Sequence, residues 1–213
     1  QLTEKFGSEE VWRSFYGGPE GRETLLRLYR EDLDRAVTWG RAMWCSTCPT
    51  CRWRRASLTT GGHTHEEVID AAAAVINLLL GDRAWPFDFL VENQWWPGFT
   101  FTEPELTRRL LDGIRAERKG IMLDIGHLMN CDTSLRTGGR GGLCTPHAGP
   151  AWSLCRYIRG IHLHCSSAGN MSGHTGFLPP RLPLDYLKRY GFGYRHILRI
   201  DTHQPGLPLP SVR

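Results

Sequence analysis

Three short apolar runs in this chain end in side chains that bind divalent metals. Phe87-Asp-Phe-Leu-Val-Glu-Asn93 delivers Glu92. Ile121-Met-Leu-Asp-Ile-Gly-His127 delivers Asp124, with His127 one turn further on. Ile158-Arg-Gly-Ile-His-Leu-His164 delivers His162 and His164. Carboxylates and imidazoles at the carboxyl ends of successive parallel strands are how a (β/α) barrel builds a metal centre. A hard cation such as Mg²⁺ prefers carboxylate oxygen, whereas an imidazole admits Mn²⁺, Co²⁺ or Zn²⁺. Two carboxylates with one or two imidazoles suit Mn²⁺-like ions best. A single Glu or Asp at a strand end is ordinarily a helix cap or a solvated loop residue; it is the company of two histidine-bearing strand ends that points to a metal. His164 shares a strand face with His162 and reads either as a ligand neighbour or, more simply, as a rim histidine. Trp95 and Trp96 follow Glu92 closely; their faces would stack on a sugar ring or pack the barrel rim.

The elements that must position these groups follow from periodicity. Residues 8 to 40 read as helical, with Leu25, Leu26, Leu28, Tyr29, Leu33, Ala36 and Val37 in an apolar stripe. Residues 64 to 80 form a second helix, opened by a Thr64/Glu67 capping box and stopped by Gly81. The strand ending at Glu92 follows. A capping box of Thr102 and Glu105 then opens a helix to about Lys119, before the strand ending at Asp124. A Gly-rich stretch, 138 to 150, interrupts the rhythm. The strand 158 to 164, a short helix near 183 to 190 and a strand 196 to 201 complete the chain. Strands alternating with helices mean parallel βα units.

The chain has 213 residues, with 40% hydrophobic and 23% charged residues, which suits one globular domain. No run of 18 apolar residues predicts a membrane span. The net charge of +4 is too mild to argue for nucleic acid without a clustered basic face. Of 26 basic residues only Lys5, Lys119 and Lys188 are lysine, a bias that fits GC-rich codons. The Arg pairs at 54–55 and 108–109 read as solvated helix faces. Seven cysteines in no secreted pattern suggest reduced thiols and a cytoplasmic setting. The chain opens on Gln1 rather than methionine, so residues upstream are expected.

The motifs around Glu92, Asp124 and His162 resemble the xylose isomerase-like TIM barrel superfamily, which includes sugar isomerases and epimerases and the endonuclease IV type of abasic-site nuclease. Leu123-Asp-Ile-Gly-His-Leu-Met-Asn130 looks like the family's Leu-Asp-x-x-His strand end, Leu90-Val-Glu-Asn93 like the strand end supplying a ligand Glu, and Gly160-Ile-His-Leu-His164 like the strand supplying a ligand His. The resemblance spans roughly residues 65 to 205. It implies Glu92, Asp124 and His162 as metal ligands, Glu92 also as a proton-transferring base, and His127 beside the metal. Ser172-Gly-His174 resembles the nuclease's Asp-x-His pair, but Ser172 replaces the Asp. That departure leaves His174 as a candidate ligand and argues against a multi-metal nuclease. Such barrels have about 250 residues. One incomplete barrel domain over residues 1–213 is therefore expected, a partial (β/α)8 TIM barrel lacking N-terminal strand or strands and the closing strand, with Asp201 standing in for the carboxylate that the closing strand supplies. The implied activity is metal-assisted isomerisation or epimerisation of a sugar-like substrate. The alternatives are an endonuclease IV-type phosphodiesterase and an inactive barrel fragment. Exposed edges of a partial barrel would call for a partner chain, a homo-oligomer among them.

Cys45-x-x-Cys48-x-x-Cys51 invites a zinc or iron–sulfur reading, but no fourth ligand has suitable local spacing. Met43 to Trp53 shows no strand character where the family has a strand. Back-translation offers a different origin. Taking each third base with the next two, from the Ala42–Met43 junction, permits Asp-Val-Val-Phe-His-Val-Ser-Asp-Val-Ser-Leu-Glu-Glu. That is an alternating strand running into an acidic helix start, and its His straddles Ser46 and Thr47. Gly138 to Pro150, shifted the other way, permits Glu-Asp-Ala-Val-Asp-Tyr-Val-His-Arg-Met-Leu-Asp, an amphipathic helix. Residues 43–60 and 138–150 are therefore expected to be out-of-frame translation. The gene sequence decides it: codons unable to encode these peptides would end the idea.

Overall fold

A computed structural model describes residues 8–19, 21–47, 64–95, 98–131, 152–164, 201 and 203. Helix α1 (Glu9–Tyr16) opens on Ser8, whose hydroxyl accepts the Val11 N–H at 3.2 Å. It stops at Gly17, which takes the left-handed φ of 67°. Helix α2 (Arg22–Thr38) follows. The single helix expected over 8–40 is thus two, because Gly17 closes the first helix in a left-handed turn, its N–H donating to the Arg13 carbonyl, and Pro19 has no N–H to continue it.

Strand β1 (Met43–Thr47) corrects the expectation that this stretch lacks strand character. Trp44 and Thr47 are good strand formers, and the neighbouring strand supplies the hydrogen-bonding partner that the local pattern alone does not reveal. Residues 48–60 lie outside the described residues. Helix α3 (His65–Leu80) carries the predicted capping box, both Thr64–Glu67 hydrogen bonds being present, and ends at Gly81. Strand β2 (Asp88–Glu92) ends where expected. Helix α4 (Pro104–Gly113) starts later than expected and without the Thr102/Glu105 box. Proline at the first helical position sets the start, with Glu103 as cap. Thr102 turns instead to Thr100, hydroxyl to hydroxyl at 2.8 Å, and Glu105 pairs with Arg108. Strand β3 (Lys119–Asp124) runs directly into α5 (Ile125–Cys131), a helix the sequence reading did not anticipate. Helix α6 (Trp152–Cys155) and β4 (Ile158–His162) complete the described elements. The Gly-rich stretch, the helix near 183–190 and residues 196–200 lie outside the described residues; Asp201 sits in a bend.

The protein is α/β. Its four strands form one parallel sheet in the order β1-β2-β3-β4, the order of the chain itself. One face packs against the helices: Phe89, Val91 and Ile121 join Leu26, Leu33, Ile69, Ile76, Leu110 and others in the core. Each such fully buried apolar side chain contributes about 1.5–3 kcal/mol. On the other face Leu90 and Met122 fill the space that Gly120 and Gly160 leave open. A methyl added at Gly160 would stand 2.7 Å from Met122 Cε, and one at Gly120 would stand 2.6 Å from Arg159 Cγ, 2.7 Å from the Tyr157 carbonyl and 3.0 Å from Leu90 Cδ2. That second face carries Glu92, Asp124 and His162 at its carboxyl end.

Candidate metal centre

The parallel register explains the convergence. Thr47 lies opposite Glu92, Glu92 opposite Met122, and Asp124 opposite His162. Glu92, Asp124 and His162 are the last residues of three adjacent strands. His162 Nδ1 is 2.7 Å from Glu92 Oε1 and 3.5 Å from Asp124 Oδ2. One donor atom from each residue lies within 4.8 Å of the others. Glu92 and Asp124 are buried, while the His162 side chain is 45% exposed, so the group opens to solvent on the β4 side.

Asp124 does two jobs. Its Oδ1 accepts the backbone N–H of His127 at 2.8 Å, which caps the first turn of α5. The bland reading of a strand-end Asp as a helix cap is therefore true of one oxygen, while Oδ2 faces His162. Its main chain is held by Asn93, whose Nδ2 donates to the Asp124 carbonyl at 3.0 Å and whose Oδ1 accepts the Asp124 N–H at 2.7 Å.

His127 is buried, and its Nδ1 lies 2.7 Å from the Asn93 carbonyl. A carbonyl only accepts, so Nδ1 carries the proton, and Nε2 is the atom turned towards Asp201 Oδ2 at 3.3 Å. Burial by itself would lower the His127 pKa. The hydrogen bond to Asp201, the charge of Asp124, the Asn93 carbonyl and the charge of Asp201 outweigh it and raise the pKa. A cation or a proton between Nε2 and that carboxylate would relieve the same pressure.

His164, read from the sequence as a rim residue or ligand neighbour, lies just past β4 and is buried. Its Nε2 stands 2.9 Å from Asp124 Oδ1 and 3.1 Å from Oδ2. Its ring rests on Gly126, where an added methyl would meet Cε1 at 2.0 Å. The other nitrogen, Nδ1, is buried with no hydrogen-bond partner. The His203 ring stacks on His164 at 4.1 Å with an interplanar angle of 4°. Asp201 Oδ1 lies 3.0 Å from His203 Nδ1 without the alignment of a hydrogen bond. Asp124, His127 and His164 form a second group of metal-capable atoms, all buried, and His164, Asp201 and His203 a third. Two parallel stacked rings cannot both aim an in-plane lone pair at one ion, so this group fits a cation less well than the first.

Trp95 packs its ring 4.6 Å from that of His127 and is buried, which places it beside the centre rather than over an open mouth. Trp96 and His174 lie outside the described residues, as do Cys48 and Cys51. Cys45 on β1 is a free thiol, pushed up to about 12 by burial and then by the charges of Glu92 and Asp124. Arg108 and Arg109 pair with Glu105 and Asp70 on exposed helix faces, as expected. Sequence reasoning missed the roles of Asn93, Gly126 and His203. Only the Asp-x-His spacing at Asp201 gave a signal for the last.

A cleft of about 440 Å³ opens at the opposite end of the sheet, lined by Trp85, Phe87, Arg115 and Arg118 among others. It brings no carboxylate and imidazole together, so the chemistry and not the volume marks the site. No helix among the described residues is long and apolar enough to cross a membrane. No protein-family model matches this chain, and no curated protein matches it.

Proposed function

We propose that Glu92, Asp124 and His162 hold one divalent cation of the Mn²⁺ type in a metal-dependent isomerase or epimerase for a sugar-like substrate, built on an arc of a (β/α) barrel. Four parallel strands paired in chain order, with helices packed on one face and polar groups at the carboxyl ends of the other, support the barrel reading. The observation that carries the function is the meeting of Glu92 Oε1, Asp124 Oδ2 and His162 Nδ1 at three adjacent strand ends.

The donor set fits the ion: two buried carboxylates and one imidazole suit Mn²⁺, Co²⁺ or Zn²⁺ and admit Mg²⁺. Such a cation, when bound, polarises a substrate carbonyl and acidifies the adjacent C–H. Glu92 is the group placed to carry the proton: its carboxylate takes it from one carbon and returns it to the neighbour, with no net change. Asp124, tied at its main chain and at both oxygens, is the anchoring ligand. His127 and His164 hold the carboxylates Asp201 and Asp124 in place from outside the first ring of ligands. Trp95 closes one wall. The free thiol of Cys45 fits the reducing, cytoplasmic setting that the sequence suggests.

One observation favours the phosphodiesterase as second reading. Asp201 and His203 supply an Asp-x-His pair beside His127, of the kind absent at Ser172. The stacking of His203 on His164 counts against it.

Calorimetric titration of chelator-treated protein with Mn²⁺ tests the proposal, followed by assays on a panel of aldoses and ketoses and on an abasic duplex. The expected result is saturable binding abolished by Asp124→Asn, with Mn²⁺-dependent sugar interconversion. Cleavage of the duplex alone would favour the second reading. Absence of saturable binding would leave an inert fragment.

A further inference from the structure

We infer that Asn93 is the positioning residue of this centre, the part that makes Asp124 a preformed ligand; the inference rests on the cation reading above. Asn93 is fully buried, immediately after the last residue of β2. The β2–β3 ladder ends at Glu92↔Met122, so the main chain of Asp124 has no ladder partner on β2. The Asn93 amide takes over that duty. It donates to the Asp124 carbonyl at 3.0 Å and accepts from the Asp124 N–H at 2.7 Å. The reciprocal pair also fixes which way the amide points, since a flip would set donor on donor and acceptor on acceptor. The Asn93 carbonyl meanwhile takes the Nδ1–H of His127 at 2.7 Å. One residue thus ties the strand end that carries Glu92 to the one that carries Asp124, and fixes the tautomer of the histidine one turn on.

The molecule holds its own control. Asn77 makes the same kind of clamp away from the centre, donating to the Gly113 carbonyl at 2.8 Å and accepting the Arg115 N–H at 2.9 Å. It joins α3 to the end of α4 and touches none of the candidate ligands. Removing the Asn93 amide strands buried main-chain groups, whereas those that Asn77 holds are exposed, so both changes should lower the melting temperature, Asn77→Ala the less. Only one should reach the cation.

The experiment titrates Mn²⁺ into the chelator-treated parent, Asn93→Ala, Asn93→Ser, Asn77→Ala and Asp124→Asn, each first checked for folding by circular dichroism. Asn93→Ala should bind about 10- to 100-fold more weakly than the parent, the range seen when groups supporting a metal ligand are removed. Asn93→Ser, which keeps an acceptor, should fall between. Asn77→Ala should bind within about twofold of the parent while melting earlier. If the parent binds, Asp124→Asn does not, and folded Asn93→Ala binds like the parent, the positioning role is wrong and the metal reading stands. If the parent itself shows no saturable binding, both fall. Should neither Asn93 variant fold, exchange in the parent decides: the Asp124 N–H and the Asn93 side-chain NH₂ must be protected together, and fast exchange of both overturns the role.

Discussion

The two ends of the sheet treat their charged side chains in opposite ways. At the amino ends of the strands, Arg118 pairs with Asp88 at 2.9 Å, and Arg83 lies over the Trp85 ring at 4.2 Å. Arg83 also pairs with Asp34, so each of these half-exposed charges has a simple opposite. At the carboxyl ends, Glu92, Asp124 and Asp201 are buried together among histidines, and no Lys or Arg among the described residues is recorded in hydrogen-bond or ion-pair contact with them. Water relieves the first arrangement; only imidazole, a proton or a cation can relieve the second. One sheet thus separates a solvated scaffold end from an end where acidic groups are buried among histidines.

Three changes would sharpen or break that contrast. The largest effect is expected from Gly126→Ala. The new methyl would collide with the His164 ring, which must leave Asp124, and overpacking of this kind costs about 1–3 kcal/mol. Urea unfolding reads it, and a loss no greater than that of a surface charge would contradict the tight packing described. The middle effect concerns pH. The folded state holds the His127 proton more tightly than the unfolded chain does, because its pKa is raised. The stabilisation is therefore complete below the unfolded value of about 6.5 and is lost as pH climbs through the raised folded value. In chelator-treated protein the gap in melting temperature between parent and His127→Gln should be wider near pH 6 than near pH 9. A gap that widens with pH would reverse the assignment. The smallest effect belongs to the other end of the sheet: Arg118→Ala should cost roughly 0.2–1 kcal/mol, as exposed ion pairs do, and should fade in high salt.

How much of this the sequence disclosed follows from the range of each interaction. The ends of β2 and β3 at Glu92 and Asp124 were legible, because an apolar run closed by a polar residue is a local pattern. So was the Thr64–Glu67 cap, which involves four consecutive residues. The break at Gly17–Pro19 was present in the sequence but was overridden by the apolar stripe on either side. Helix α5 was hidden because no turn residue separates it from β3; Asp124 ends one element and caps the next. The partnership of Asn93 with Asp124 spans 31 residues and exists only once two strands are in register. The contact of His127 with Asp201 spans 74 residues, beyond any local spacing rule. β1 emerged from pairing rather than pattern. Its register sets Thr47 opposite Glu92, so the histidine of the alternative reading frame, which straddles Ser46 and Thr47, would fall level with the candidate ligands.

Gly120 and Gly160 bear on direction. By giving up their side chains they let Leu90 and Met122 close the face beneath the carboxylates with hydrocarbon and a thioether. A floor without polar groups offers the carboxylates no counter-charge from beneath, which leaves the side of the half-exposed imidazole of His162 open to solvent. On the cation reading proposed above, an ion would enter over the rim of β4, beside His162.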